Sequence, residues 1–149
     1  MLIQTTRFGT IEVDDTRIIE FKEPLLGFPD QRRFVLIQTA PDPVFFWLQS
    51  IDEPGIAFVV CDPLAFVPDY QAPIRLDDMQ ALGLRGIDDC QVLVIVNKVD
   101  GFLTANLMGP LVIGAGSLLA KQLVLSDRRY GTRHRLMRAS LPAPVARTA

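Results

Sequence analysis

His134 is the only histidine in the chain, and imidazole is the side chain best suited to acid–base work near neutral pH. It stands between Arg133 and Arg135 with no acidic neighbour to orient it, so neither a Ser–His nor a Cys–His pair is assembled around it. The carboxylate pairs Asp14-Asp15, Asp77-Asp78 and Asp88-Asp89 are sequence neighbours, and they read as turn and helix-cap chemistry rather than as an acid and a base facing a substrate. Cys61 adjoins Asp62, the wrong neighbour for lowering a thiol pKa. Two cysteines and one histidine cannot fill a zinc shell unaided, so Cys61 and Cys90 are expected to be buried free thiols. Gly114-Ala115-Gly116 lacks the following Gly-Lys-Ser/Thr of a phosphate loop. No catalytic constellation, metal or cofactor is implied, and an interaction module becomes the default.

Such a module needs a scaffold. The most apolar stretch, Val44 to Pro68, contains Phe45, Phe46, Phe58, Phe66 and the only tryptophan, Trp47. It reads as a hairpin of Val44–Ser50 and Ile56–Asp62 around the turn Ile51-Asp52-Glu53-Pro54-Gly55, with the apolar piece Leu64–Val67 between two prolines. Aromatic burial dominates core energetics, so this hairpin is expected to centre the fold. Around it the sequence predicts a first hairpin (Met1–Thr6 with Gly9–Asp14) and strands at Arg17–Phe21, Arg32–Gln38, Cys90–Lys98, Phe102–Met108, Pro110–Ile113 and Leu118–Leu125. The loop Lys22–Asp30 carries Leu25, Leu26 and Phe28 between prolines and must pack on the body or expose a sticky patch. One helix is expected at Asp77–Leu82, with Gly83 behind it. Lys121 reads as a charged guard on an edge strand, and Ser126–Leu136 as a polar, basic segment. About nine or ten short strands with turn signals between them predict an all-β, small antiparallel β-barrel-like single domain with one short helix.

The chain has 149 residues, 49% of them hydrophobic and 21% charged, enough for one core. That core is expected over residues 1–137, with an Ala/Pro-rich disordered tail over 138–149. No apolar run reaches membrane-span length, and the N-terminus lacks a basic region followed by an apolar stretch, so a cytoplasmic protein is expected. Charge is uneven. Residues 1–120 hold 16 acidic and 8 basic side chains, and residues 121–149 hold 1 acidic and 7 basic, a net −8 against +6. An acidic body suits a basic partner and disfavours a phosphate backbone.

Many ordered features then resemble the flagellar assembly factor FliW family. These are Thr6-Arg7-Phe8-Gly9 with Ile11-Glu12-Val13, Ile19-Glu20-Phe21, Gly27-Phe28, Arg33-Phe34, Phe45-Phe46-Trp47-Leu48-Gln49-Ser50, Glu53-Pro54, Ala57-Phe58-Val59-Val60, Asp62-Pro63, Pro68-Asp69-Tyr70, Thr104-Ala105-Asn106-Leu107, Pro110–Ile113, Lys121–Leu125 and Tyr130. The chain departs from the pattern at Gly114, where relatives often carry Asn, and at Ala120, where they often carry Gly. The resemblance implies a β-barrel-like protein without enzymatic activity and with two cytoplasmic partners. One is flagellin, held before export. The other is the dimeric RNA-binding repressor CsrA, which blocks flagellin mRNA translation and which free FliW antagonises. It implies no direct nucleic-acid or membrane contact, and a monomer when free is expected.

The contacts are expected from an exposed rim of acidic and aromatic groups near the proline-bounded loops: Glu20, Glu23, Asp62, Phe66, Asp69 and Tyr70. Carboxylates match Lys and Arg, and aromatics make rigid anchors. The alternative for Phe66 is a core position and for Asp69 a turn. Two other classes stay open from the residues alone: a small-ligand-binding barrel, and a nucleic-acid binder acting through the basic C-terminal segment.

Overall fold

The computed structural model describes residues 1–139. Among them are eleven strands, one α-helix and two 3-10 turns. β1 (Leu2–Thr5) and β2 (Gly9–Glu12) form a separate hairpin. The other strands are β3 (Ile19–Phe21), β4 (Arg33–Ile37), β5 (Phe45–Ser50), β6 (Ala57–Cys61), β7 (Cys90–Val99), β8 (Phe102–Ala105), β9 (Leu111–Gly114), β10 (Leu119–Gln122) and β11 (His134–Arg138), and α1 spans Leu76–Ala81. Seven strands close on themselves in the order β7-β6-β5-β4-β3-β10-β9 and back to β7.

Closure depends on the length of β7, ten residues. Cys90–Leu93 pairs with β9, while Val96–Val99 pairs on that same side with β8. The barrel thus opens into a short wing in which β8 carries β11. The β7–β8 link is the Asp100-Gly101 turn, with φ of 51° and 80°, the paired positive φ values that match a two-residue hairpin to strand twist. One ladder departs from the antiparallel expectation: β3 and β10 run parallel, with Leu119 opposite Glu20 and Ala120 opposite Phe21. This pair completes the ring between strands distant in sequence.

Each barrel strand sends residues inward. Ile19 and Phe21, Phe34, Leu48, Val60, Leu93, Leu111 with Ile113, and Ala120 form one buried cluster. Leu25, 2% exposed, joins it from the Lys22–Asp30 loop. Phe28 of that loop packs edge-on against Phe58 at 4.9 Å, while Leu26 stays exposed. The barrel interior is therefore filled by side chains. Outward-facing residues are covered too. Cys61, Val94, Val96 and Val112 lie in a second cluster with Tyr70, Leu82, Leu107 and Leu123. Val35 meets Ile3, Val13 and Ile51 in a third, beneath the β1–β2 hairpin. Strands covered on both faces read as near-continuous apolar runs, which is why Cys90–Lys98 does not alternate.

Several boundaries differ from expectation for local reasons. Phe102–Met108 stops as a strand at Ala105, because the Asn106 side chain accepts from Met108 N at 3.0 Å and turns the chain. Leu118 adopts φ +57° and delays β10 to Leu119. Lys121 guards no edge, because β10 is paired on both sides. The basic segment contains an unexpected strand, β11, whose residues are mostly exposed; Leu136 packs inward while Arg135 and Arg138 lie over Phe102 at 4.2 and 5.2 Å. Of the tail expected over 138–149, Arg138 belongs to β11 and is not tail, and residues 140–149 lie outside the described residues.

Candidate partner-docking site

After β6 the chain leaves the barrel and returns at β7 by way of residues 62–89. Asp62 starts this excursion. Its carboxylate accepts from Leu64 N at 2.9 Å and Pro63 takes the first helical position, so a 3-10 turn forms at once. The Val67 and Tyr70 amides donate back to Pro63 O and Val67 O. Tyr70 then fixes the loop from inside. Its hydroxyl donates to Leu107 O at 2.7 Å, its ring lies 4.7 Å from that of Tyr130, and the Tyr130 hydroxyl accepts from Gln71 N at 2.9 Å. Burial pushes the Tyr70 phenol well above its usual pKa.

The helix is held differently. Asp78 accepts from Arg75 N at 3.2 Å and from Lys121 Nζ at 3.0 Å. Burial opposes ionisation of Asp78, but these bonds outweigh it and keep the carboxyl below its usual range. The same bond raises the Lys121 ammonium. Ser117 Oγ donates to Leu82 O at 2.6 Å, just past the helix end.

Between the excursion and β7 lies a groove of about 410 Å³, lined by Asp62, Leu64, Tyr70, Ile87, Asp88 and Cys90 among others. Leu64 and Ile87 are 52% and 63% exposed. Two apolar side chains thus stand beside two carboxylates, a surface suited to an amphipathic, basic partner. Of the two thiols, only Cys90 lines the groove, and burial with Asp89 and Asp88 nearby raises it; burial pushes Cys61, outside the lining, up to about 12. Among the described residues no group of three or more His, Cys, Asp or Glu could hold a metal ion.

The expected rim residues do not form one patch. Asp62 and Asp69 are exposed on the excursion, and Asp69 lies near enough to Arg129 to favour its charge. Phe66 is half-buried and stacked on Phe45 at 5.9 Å. Tyr70, 6% exposed, is a core residue whose hydroxyl is already used, so its place in an exposed rim is corrected. Glu20 lies exposed on β3 opposite Arg33, and Glu23 follows in the next loop, where its charge acts on Lys121. Two strands, β4 and β5, separate β3 from β6, so these glutamates occupy another sector of the wall. Ile87, Asp88 and the groove have no local signal in the sequence beyond an apolar residue stranded in Gly86-Ile87-Asp88-Asp89.

Gln49 is a further polar feature. It is fully buried, and its amide nitrogen donates to Ser50 O, Pro54 O and Ile56 O at 3.1–3.3 Å. Its Oε1 has no hydrogen-bond partner among the described residues. The side chain lines a hollow of about 320 Å³ with Thr6 and Arg7.

The FliW protein family model matches residues 2–136, nearly all of the described chain. The chain belongs to the FliW family. It is 40% identical to the flagellar assembly factor FliW of Heliobacterium modesticaldum over 142 residues, covering 94% of this chain and 93% of that one. It is 41% identical to that of Bdellovibrio bacteriovorus over 135 residues, covering 89% and 77%. A crystal structure of the flagellar assembly factor FliW superposes with a TM-score of 0.82 at 32% identity, covering 95% of this chain and all of the other. Against the family pattern, the two departures fall where packing is tight. A Cβ on Gly114 would collide with Ser117 Oγ and sit 3.2 Å from Leu82 O, so glycine here admits the Ser117–Leu82 bond. Ala120 is fully buried in the barrel interior.

Proposed function

We propose that this protein is a cytoplasmic flagellar assembly factor that binds and antagonises the translational repressor CsrA, relieves repression of flagellin mRNA translation, and holds flagellin before export. The observation that carries this reading is family membership over residues 2–136, with relatives named as flagellar assembly factors. The geometry supports it. An acidic body with an acidic-apolar groove suits a basic, RNA-binding partner, because complementary potentials steer association and reject wrong partners. Asp62, Asp88, Leu64 and Ile87 form the first contact surface, with Phe66 and Asp69 at its margin and Glu20 and Glu23 as a separate acidic sector. The filled barrel interior gives no support to a small-ligand barrel.

The test is direct. Purified protein is run on a sizing column with the repressor and, separately, with flagellin. Co-migration with both at micromolar concentration is expected. Independent migration of every component would reject the assignment.

A further inference from the structure

We propose that the β11 edge is a second docking site, opposite in charge to the acidic groove, which takes an extended acidic peptide by strand addition. The wing ends at β11, which pairs with β8 on one side and with no strand on the other among the described residues. Such an edge offers backbone donors and acceptors in register for an added strand. The ladder has a register shift between Arg135 and Met137. Met137, 45% exposed, lines a groove of about 400 Å³ with Pro41, Pro43, Val44, Phe45 and Phe66, and with the single carboxylate of Asp42. The Phe45–Phe66 stack and the half-exposed Val44 make its walls apolar. An edge strand beside an apolar groove gives an added peptide both backbone bonds and a seat for an apolar side chain.

Charge selects the occupant. Residues 128–138 contain five arginines and no carboxylate, and Arg133, Arg135 and Arg138 are exposed on or beside the strand. A second copy of this chain added edge to edge would set these arginines against their equivalents, a like-charge arrangement that discourages self-pairing. Single-stranded RNA would satisfy the charge, but it gains much of its affinity by stacking on free aromatic faces. Of the aromatic rings beside the strand, Phe102 is already overlaid by Arg135 and Arg138, and Phe45 and Phe66 are stacked on each other. An extended peptide with carboxylates around an apolar residue satisfies the edge, the groove and the arginines together. The proposal stands whether or not CsrA occupies the acidic groove.

The experiment uses a fluorescein-labelled peptide in which glutamates alternate with valine and leucine, titrated with full-length protein and followed by anisotropy. Binding is expected at micromolar concentration and should weaken with added salt. Met137→Ser and Arg133→Glu should each weaken it about tenfold while leaving the thermal midpoint unchanged. Arg133 makes no ring contact with Phe102, so its reversal tests the charge without disturbing the Arg135 and Arg138 packing. The same peptide N-methylated at every residue has no amide left to donate to the edge and should not bind. Equal binding of the methylated peptide, indifference to both substitutions, or displacement of the peptide by a stoichiometric single-stranded oligouridine would each overturn the proposal.

Discussion

The Asp78 carboxylate lies 3.0 Å from the Lys121 ammonium and ties α1 to β10, two elements more than forty residues apart. The helix has six residues, too few to persist without tertiary support. The pair supplies that support from a carboxylate that is 9% exposed and an ammonium that is 29% exposed.

This gives a pH-dependent stability. Asp78 is held below its usual pKa by Lys121 and Arg75 N against the cost of burial, so its contribution is full above the ordinary carboxylate range and is lost as pH falls through the lowered value. Asp78→Asn keeps a cap acceptor and removes the charge. It should cost about 2 kcal/mol at pH 7, roughly 6 °C in thermal midpoint. Melting curves at stepped pH should show this gap persisting through the ordinary carboxylate range and closing only as pH falls below it, through the lowered value. A constant gap would place the effect elsewhere.

Tyr70→Phe tests whether Tyr70 acts in the core. The substitution leaves the buried Leu107 carbonyl without its 2.7 Å donor, which should cost about 1–2 kcal/mol. In calorimetry the variant should melt lower, while its affinity for CsrA stays within about twofold of the parent. Loss of affinity without loss of stability would return Tyr70 to the contact surface.

The groove is tested with Ile87→Asp and Asp88→Lys, both at exposed positions with no tight packing. Each should weaken CsrA binding about tenfold, measured by calorimetric titration, with the melting point unchanged. Glu20→Lys with Glu23→Lys reverses the second acidic sector. If only this pair weakens binding, the contact surface lies on β3.

Thiol accessibility separates the two cysteines. Cys61 is fully buried with its pKa pushed up to about 12, whereas Cys90 is half-buried with its Sγ donating to Ile87 O at 3.3 Å. An aromatic disulfide reagent should modify Cys90 slowly and Cys61 only after denaturant is added. Protection of Cys90 by bound CsrA would map the partner onto the groove.

How far these features could be read in the sequence depends on the range of the interaction behind each. The hairpin Phe45–Ser50 with Ala57–Cys61 was visible because its aromatics and its Pro54-Gly55 turn are local signals. The helix was visible, one residue displaced, from Asp77, Asp78 and Gly83. The parallel β3–β10 pair was not visible, because its registration is set by barrel closure and not by either segment. β11 escaped because an exposed strand of Arg and His carries no apolar alternation; its place is fixed by Leu136 and by Phe102 beneath two guanidinium groups. The candidate site was half legible. Asp62 and Asp69 were exposed where expected, but nothing local distinguishes Tyr70 as buried from Tyr70 as an anchor. Ile87 becomes a groove wall only once residues 62–89 fold back beside β7.

The central claim, antagonism of CsrA by a protein that also binds flagellin, is tested most directly on the repressor's RNA. CsrA is bound to a labelled flagellin-leader RNA, and anisotropy is followed as this protein and then flagellin are added. The account predicts that the RNA is released as the protein approaches stoichiometry with CsrA and that flagellin restores the bound signal. RNA that stays bound in excess protein would contradict it.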